Sequence, residues 1–148
     1  IPYVIETSIG LDRMFLLTLC NAYKEEEVGE GDKKEIRTVL ALPPQLAPFK
    51  VAILPLTKKD GLPEKAREIL DMLKPSYRCH YEEKDAIGKR YRRHDAIGTP
   101  FCVTVDHESL ETNTVTIRHR DSMVQERVSI SDLTSILEKH VSMRSLLS

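Results

Sequence analysis

Aromatic residues are scarce. The 148-residue chain has no tryptophan, three phenylalanines and five tyrosines. A surface that stacked on bases would have few members, and the candidates are Phe49, Tyr81, Tyr91 and Phe101, of which Tyr91 and Phe101 also fit a packed core. Cysteine is scarcer still. Cys20, Cys79 and Cys102 are an odd number at scattered positions without a CxxC pair, which argues against a disulfide framework or redox centre and fits buried thiols in a reducing cytoplasm. His80, His94, His107, His119 and His140 show no HxxxH or HExxH spacing that would set two ligands on one helical face, so no metal site is expected. There is no Gly-x-Ser-x-Gly turn to suggest a hydrolase. The net charge of −1 provides no chain-wide basic field, so contact with nucleic acid would have to come from a local patch. No apolar run approaches the roughly 18 to 20 residues of a bilayer span, and no basic leader precedes an apolar stretch, so neither membrane insertion nor a secretion signal is expected. The opening Ile1-Pro-Tyr-Val-Ile-Glu6, without an initiator methionine, reads as the continuation of a longer polypeptide.

What the chain does have is a globular balance, 41% hydrophobic and 30% charged, enough for one domain plus an additional piece. Its most distinctive stretch runs from Ile87 to Asp106. At 100° per residue Ile87 and Tyr91 share a helix face, while Lys89 and Arg93 lie nearly opposite with Arg90 and Arg92 beside them. Gly98 can take the left-handed conformation that ends a helix, and Pro100 cannot continue one. In residues 101–106, Phe101, Val103 and Val105 alternate with Cys102, Thr104 and Asp106, the pattern of a half-buried strand. A basic helix beside a sheet is expected.

Along the rest of the chain, residues 2–6 read as a short strand, and a turn at Gly10 leads into a helix over 11–23 with Leu11, Phe15, Leu19 and Ala22 on one stripe. Ten of the fourteen residues in 24–37 are charged, which reads as a solvated connector or a mobile loop, and as a boundary. The proline-rich stretch 38–49 is expected to be extended. Residues 50–56 have the continuous apolar character of an interior strand, and a helix follows from Pro63 with Ala66, Ile69, Leu70 and Leu73 in register. A strand over 77–82 precedes the basic helix. After the 101–106 strand, a polar loop over 107–113 leads to a hairpin of 114–120 and 123–130 turning at Asp121-Ser122, with Thr114, Thr116, Arg118 and Arg120 on one face. Ser131 is expected to cap a last helix carrying Leu133, Ile136, Leu137 and Val141, and residues 142–148 to fray. From residue 50 the order β-α-β-α-β-β-β-α predicts an α/β fold, a mixed five-stranded sheet with three helices.

Two constellations could carry chemistry. Arg118 and Arg120 beside Lys89, Arg90, Arg92 and Arg93 could hold phosphates and read unstacked bases; the same charges could instead form a solvated face paired with Glu82, Glu83, Asp85 and Asp95. Glu6 at a strand end and Arg13 in the first helical turn could face one cleft, a carboxylate for an ammonium and a guanidinium for a phosphate; they could equally be a structural pair.

The two constellations join in a resemblance. Glu6-Thr-Ser-Ile-Gly-Leu-Asp-Arg13 resembles motif 3 of the class II aminoacyl-tRNA synthetases, in the form found in homodimeric glycyl-tRNA synthetases, with Thr7 where proline is common. Leu46-Ala-Pro-Phe-Lys-Val-Ala-Ile-Leu-Pro-Leu56, Ile87-Gly-Lys-Arg-Tyr91, Asp95-Ala-Ile-Gly-Thr-Pro-Phe101 and Val115-Thr-Ile-Arg-His-Arg-Asp-Ser-Met123 resemble the anticodon-binding domain of the same family. The resemblance implies a C-terminal fragment in two parts. Residues 1–43 would be the end of the catalytic domain, a strand-helix remnant with the charged connector, and 44–148 the anticodon-binding domain. It implies ATP contact by Gly10, Leu11, Asp12 and Arg13, a glycine pocket from Glu6, Thr7, Ser8, Ile9 and Gly10, and anticodon contact by Lys89, Arg90, Arg93, Arg118, Arg120 and Asp121. The parent would be a homodimeric, ATP- and Mg²⁺-dependent glycine–tRNA ligase of the cytoplasm. Lacking motifs 1 and 2, this chain would be inactive alone, hold no tight cofactor or metal, and stand as a monomer whose partner is glycine tRNA. The competing expectation is a protein-interaction module on the same fold without tRNA specificity.

Overall fold

The structure is a computed structural model that describes residues 2–29 and 34–143. Residues 2–10 form no regular structure and are exposed, with Tyr3 and Ile5 both at 96%. The strand expected over 2–6 is therefore not formed: a strand needs a neighbour for its N–H and C=O groups, and among the described residues no strand lies beside it. Helix α1 (Leu11–Ala22) follows as expected, but of its residues only Ala22 is buried.

Most of the charged connector lies in two paired strands, which corrects the mobile-loop reading but leaves it solvated. Strand β1 (Tyr23–Val28) pairs antiparallel with β2 (Glu35–Leu40), Tyr23 opposite Leu40 and Val28 opposite Glu35. Ladder bonds satisfy the backbone while most charged side chains remain in water. On β2 only Arg37 and Val39 turn inward, and period-two alternation puts them on the same side.

The main sheet comprises β3 (Val51–Pro55), β4 (Cys79–Tyr81), β5 (Phe101–Val105), β6 (Thr114–His119) and β7 (Gln125–Ser129) in the order β4-β3-β5-β6-β7. β3 is parallel to β4 and β5; β6 and β7 are antiparallel. This is the mixed five-stranded sheet that the element order predicts. Helices α2 (Leu62–Leu73) and α5 (Leu133–Val141) cover one face, burying Leu62, Ala66, Ile69, Leu73, Leu133, Leu137 and Val141 against Val51, Ile53, Phe101, Val103, Val105, Val115 and Ile117. Each of the larger of these side chains contributes roughly 1.5–3 kcal/mol of transfer free energy. Helix α3 (Ile87–Ile97) covers the other face, where Ile87 and Tyr91 pack on Ala52, Leu54 and Cys102. β5 is consequently buried at every residue, not half-buried, because helices lie on both sides of it.

Two further local expectations change. Residues 107–112 are a short helix, α4 (His107–Thr112), because Asp106 and Ser109 form a reciprocal capping box, the Asp106 side chain accepting from the Ser109 N–H at 3.0 Å. Ser131 does not cap α5; its hydroxyl bonds Ser129 and Asp132, and a 3₁₀ turn over Ile130–Asp132 leads into the helix. Of the tail expected to fray, 144–148 lies outside the described residues.

Candidate nucleic-acid interface

α3 ends where its sequence says it must. Gly98 has φ 83°, and a Cβ there would stand 2.9 Å from the Leu40 carbonyl oxygen, so the left-handed cap and the close passage of β2 both require glycine. That passage sets Asp95, with no exposed surface, between two arginines. Arg118 of β6 donates from Nη1 to Oδ1 at 2.8 Å and from Nη2 to Oδ2 at 3.0 Å, a bidentate fork. Arg37 of β2 donates from Nε to Oδ2 at 2.8 Å, reaches Glu26 at 2.7 Å through Nη1, and gives Nη2 to the Arg120 carbonyl. Burial pushes Asp95 upward, but the bonds from Arg118 and Arg37 outweigh it and hold the carboxyl below its ordinary range. Burial pulls Arg37 down, and Asp95 and Glu26 more than offset that.

The residues named by the sequence divide at this junction. Arg118 is inside, its guanidinium lying 4.7 Å from the centre of the Tyr91 ring. Arg120 is inside, 2% exposed, donating to the carbonyls of Gly98 and Leu42 at 2.8 Å each and to its neighbour Asp121 at 2.7 Å. Arg90 is inside at 1%, donating to the carbonyls of Pro55, Glu82 and Leu56 where β3 and β4 end; burial lowers its pKa. The carboxylate of Asp121 remains 64% exposed, outside the cluster it helps to close.

The outer side of α3 carries the accessible charge. Lys89 is exposed and has no ion pair among the described residues. Arg93, 43% exposed, pairs with Glu82 at 2.7 Å and Asp85 at 2.8 Å; Arg92 pairs with Glu35 of β2 at 3.1 Å. Next to Ile87 and Tyr91 a recess of about 280 Å³ opens over the sheet, lined also by Leu56, Thr104, Asp106, Thr116 and Gln125. Tyr91 and Thr104 share a hydrogen bond of 2.7 Å in its wall, and burial raises the phenol pKa. Arg127 forks onto Asp106 at 2.5 and 2.9 Å. The recess is thus small and more apolar than polar, with the Asp106–Arg127 pair at its edge, dimensions that suit one planar group rather than a large cofactor.

A second cluster, unseen in the sequence, lies under α3. His80, Glu82 and His94 each bring one ligand-type atom within 4.8 Å of the others. Burial, helped by His80 and Arg93, pushes His94 down to about 4. The His80-x-Glu82 spacing at the end of an expected strand is a readable sign that both side chains point one way; only the helix position of His94 completes the group.

The motif-like N-terminal residues Glu6, Thr7, Ser8, Ile9 and Gly10 are exposed and irregular, and Leu11, Asp12 and Arg13 are exposed in the first turn of α1. Neither Glu6 nor Arg13 has an ion pair among the described residues, so this chain does not bring them together as a structural pair.

A sequence model described as "Anticodon binding domain" matches residues 50–140. The chain is 56% identical over 141 residues to a glycine–tRNA ligase of Borrelia hermsii, covering 95% of this chain and 31% of that protein. It is 55% identical over 139 residues to one of Alkaliphilus oremlandii, covering 94% and 29%. The chain therefore spans about a third of the length of the curated relatives it matches. Among solved structures it is similar to a prolyl-tRNA synthetase from Cryptosporidium parvum complexed with L-proline and AMP, with a TM-score of 0.62, 23% identity, and 68% of this chain against 23% of that one, a likeness of fold.

Proposed function

The chain belongs to the anticodon-binding domain family, and from that premise we propose that it is the anticodon-reading end of a glycine–tRNA ligase, contacting the tRNA loop along α3 and the recess beside it. The observation that carries this reading is the separation of cations on and around α3: Arg90, Arg118 and Arg120 go to internal acceptors, while Lys89 makes no close ion pair among the described residues and stands on the open side. Lys89 and Arg93 supply phosphate contacts, which hold a loop in register without reading its sequence. Bases splayed from a loop then meet Tyr91, Thr104, Thr116 and Gln125 in the recess. The exposed carboxylate of Asp121 can accept from a cytosine amino group. Arg90, Arg118 and Arg120 support the surface by fixing α3 and the β6–β7 turn beneath it.

Residues 1–43 fit, on the same reading, the end of a catalytic domain that supplies ATP and Mg²⁺ chemistry in the complete enzyme. The first turn of α1 has no side-chain cap, so its N–H groups are open, and the unpaired Arg13 beside them suits a phosphate. Glu6, with no ion partner of its own, suits the ammonium of glycine, with Thr7, Ser8, Ile9 and Gly10 as the adjoining wall. Apart from Thr18 and the half-buried Leu19, the helix carrying these residues is buried only at Ala22, which accords with a surface completed by the remainder of a longer protein.

The test is binding of the chain to glycine tRNA at two salt concentrations, beside the same tRNA with its two anticodon cytosines replaced. Salt-sensitive binding that weakens on replacement is expected. Binding indifferent to the anticodon would reduce the surface to a nonspecific basic patch, and tight, salt-insensitive binding to another protein with no affinity for tRNA would favour an interaction module instead.

A further inference from the structure

We propose that His80, Glu82 and His94 form a site for one divalent transition-metal ion of zinc-like preference, which clips α3 to the edge strand β4. His80 is in β4, Glu82 follows its last residue, and His94 is in the last turn of α3. Residues two apart on an extended chain project to the same side, and here that is the side on which His94 lies, since one ligand atom from each residue falls within 4.8 Å of the others. His94 Nε2 and Glu82 Oε2 are 3.6 Å apart. Bonds of about 2.0–2.1 Å at a tetrahedral angle place two ligand atoms roughly 3.3 Å apart, so this pair is already near the required span, while the His80 atom, within 4.8 Å of both, has to close in on them.

What the cluster leaves unmet points to a ligand. His94 is 1% exposed, and its Nε2 is a buried atom with no hydrogen-bond partner; Nδ1 of His80 is buried and unpartnered as well. Buried polar atoms are nearly always bonded, and an unexplained orphan in a native fold commonly marks an absent water or ion. Nδ1 of His94 is held by the Thr99 hydroxyl at 3.1 Å. With the proton on that nitrogen, Nε2 presents its lone pair to the cluster, the outer contact that orients metal-binding histidines. The other Glu82 oxygen is occupied by Arg93 at 2.7 Å, so the carboxylate is fixed while Oε2 stays available. Two imidazoles and one carboxylate are the donors of three-ligand zinc sites with an open fourth position, whereas calcium and magnesium take mostly oxygen. Arg93 and Arg90 nearby oppose a cation, which makes this a weaker site than a four-cysteine centre. Its consequence is mechanical: the ion would hold the helix that bears Lys89 and Arg93 at a fixed height on the sheet. The inference stands whether or not the chain binds tRNA.

The experiment uses the full chain stripped with a chelator, titrated with Zn²⁺ alone by calorimetry and with Co²⁺ while visible absorption is followed. One ion per chain is expected, with the intense visible bands of tetrahedral Co²⁺. The ring ¹⁵N resonances of His80 and His94 should shift, and those of His107, His119 and His140 should not. His80→Ala and Glu82→Gln alter side chains that are only partly buried, so they should keep the circular dichroism of the metal-free chain and bind on the order of tenfold more weakly or worse. No saturable binding by the unmodified chain, shifts confined to the other histidines, or affinity that both variants leave unchanged would overturn the proposal.

Discussion

The arginines around Asp95 and the cations on the outer side of α3 come from equally basic runs of sequence but end in opposite environments. Arg37, Arg118 and Arg120 are at most 6% exposed, and their donors go to Asp95, Glu26, Asp121 and main-chain carbonyls. Lys89 and Arg93 remain in water, the first unpaired among the described residues and the second in exposed pairs. A guanidinium can be buried because its planar fork offers five donors that a carboxylate and carbonyls can satisfy together; Arg93 shows that the fork alone does not decide it, since the same group stays in water where no such set of acceptors closes over it. The buried set holds three segments together, namely β2, α3 and β6. The exposed set leaves charge available to a phosphate at little cost to the fold.

Breaking the junction at its centre should have the largest effect. Asp95→Ala leaves Arg37 and Arg118 buried without their shared carboxylate, and a loss of about 3–5 kcal/mol in urea unfolding is expected; a loss below about 1 kcal/mol would mean that the arginines find other partners. The second effect is acid. His94 has a pKa of about 4 in the fold against an ordinary 6.5, so the unfolded chain takes up the proton first as pH falls. Its contribution is complete above about 6.5 and is lost progressively down to about 4, roughly 3 kcal/mol in all. Asp95, held below its ordinary value of 3.8, adds a loss in the same direction only in still more acid solution. Urea midpoints from pH 7 to 4 with chelator present check this, and a flat profile would remove His94 as the source.

Third, Arg120→Ala should cost about 1–3 kcal/mol, since the buried carbonyls of Gly98 and Leu42 lose their side-chain donor. If tRNA discrimination falls while the unfolding midpoint holds, Arg120 belongs to the reading surface instead of its support. The smallest stability change is expected for Lys89→Ala, within about 0.5 kcal/mol. Its effect should appear in binding, where the logarithmic salt slope falls by about 1 and all anticodon sequences weaken alike.

The parts of this picture that could be read in advance are those set by neighbours in sequence. The apolar run at Val51–Pro55, the stripe of Ala66, Ile69 and Leu73, and the stop at Gly98 all follow from periodicity and backbone freedom. The hairpin of β1 and β2 was hidden because charge density reads as solvation, although Arg37 and Val39 sit at the spacing of one strand face. The capping box of Asp106 and Ser109 was legible but outweighed by the polarity of residues 107–113. Nothing local could distinguish Arg118 from Lys89. Only the arrival of Asp95 and Tyr91 from α3 determines which cation is enclosed.

The amino-acid sequence by itself determined the element order, the mixed sheet and the placement of a basic helix against it, because repeat periods of 2 and 3.6 and the stops at glycine and proline act over a few bonds. Tertiary structure decided which charges are interior, that Tyr23–Val28 and Glu35–Leu40 form a ladder, and that His94 meets His80 and Glu82. Those outcomes depend on distances between segments far apart in the chain, where burial and pairing, rather than residue type, select the state of each side chain.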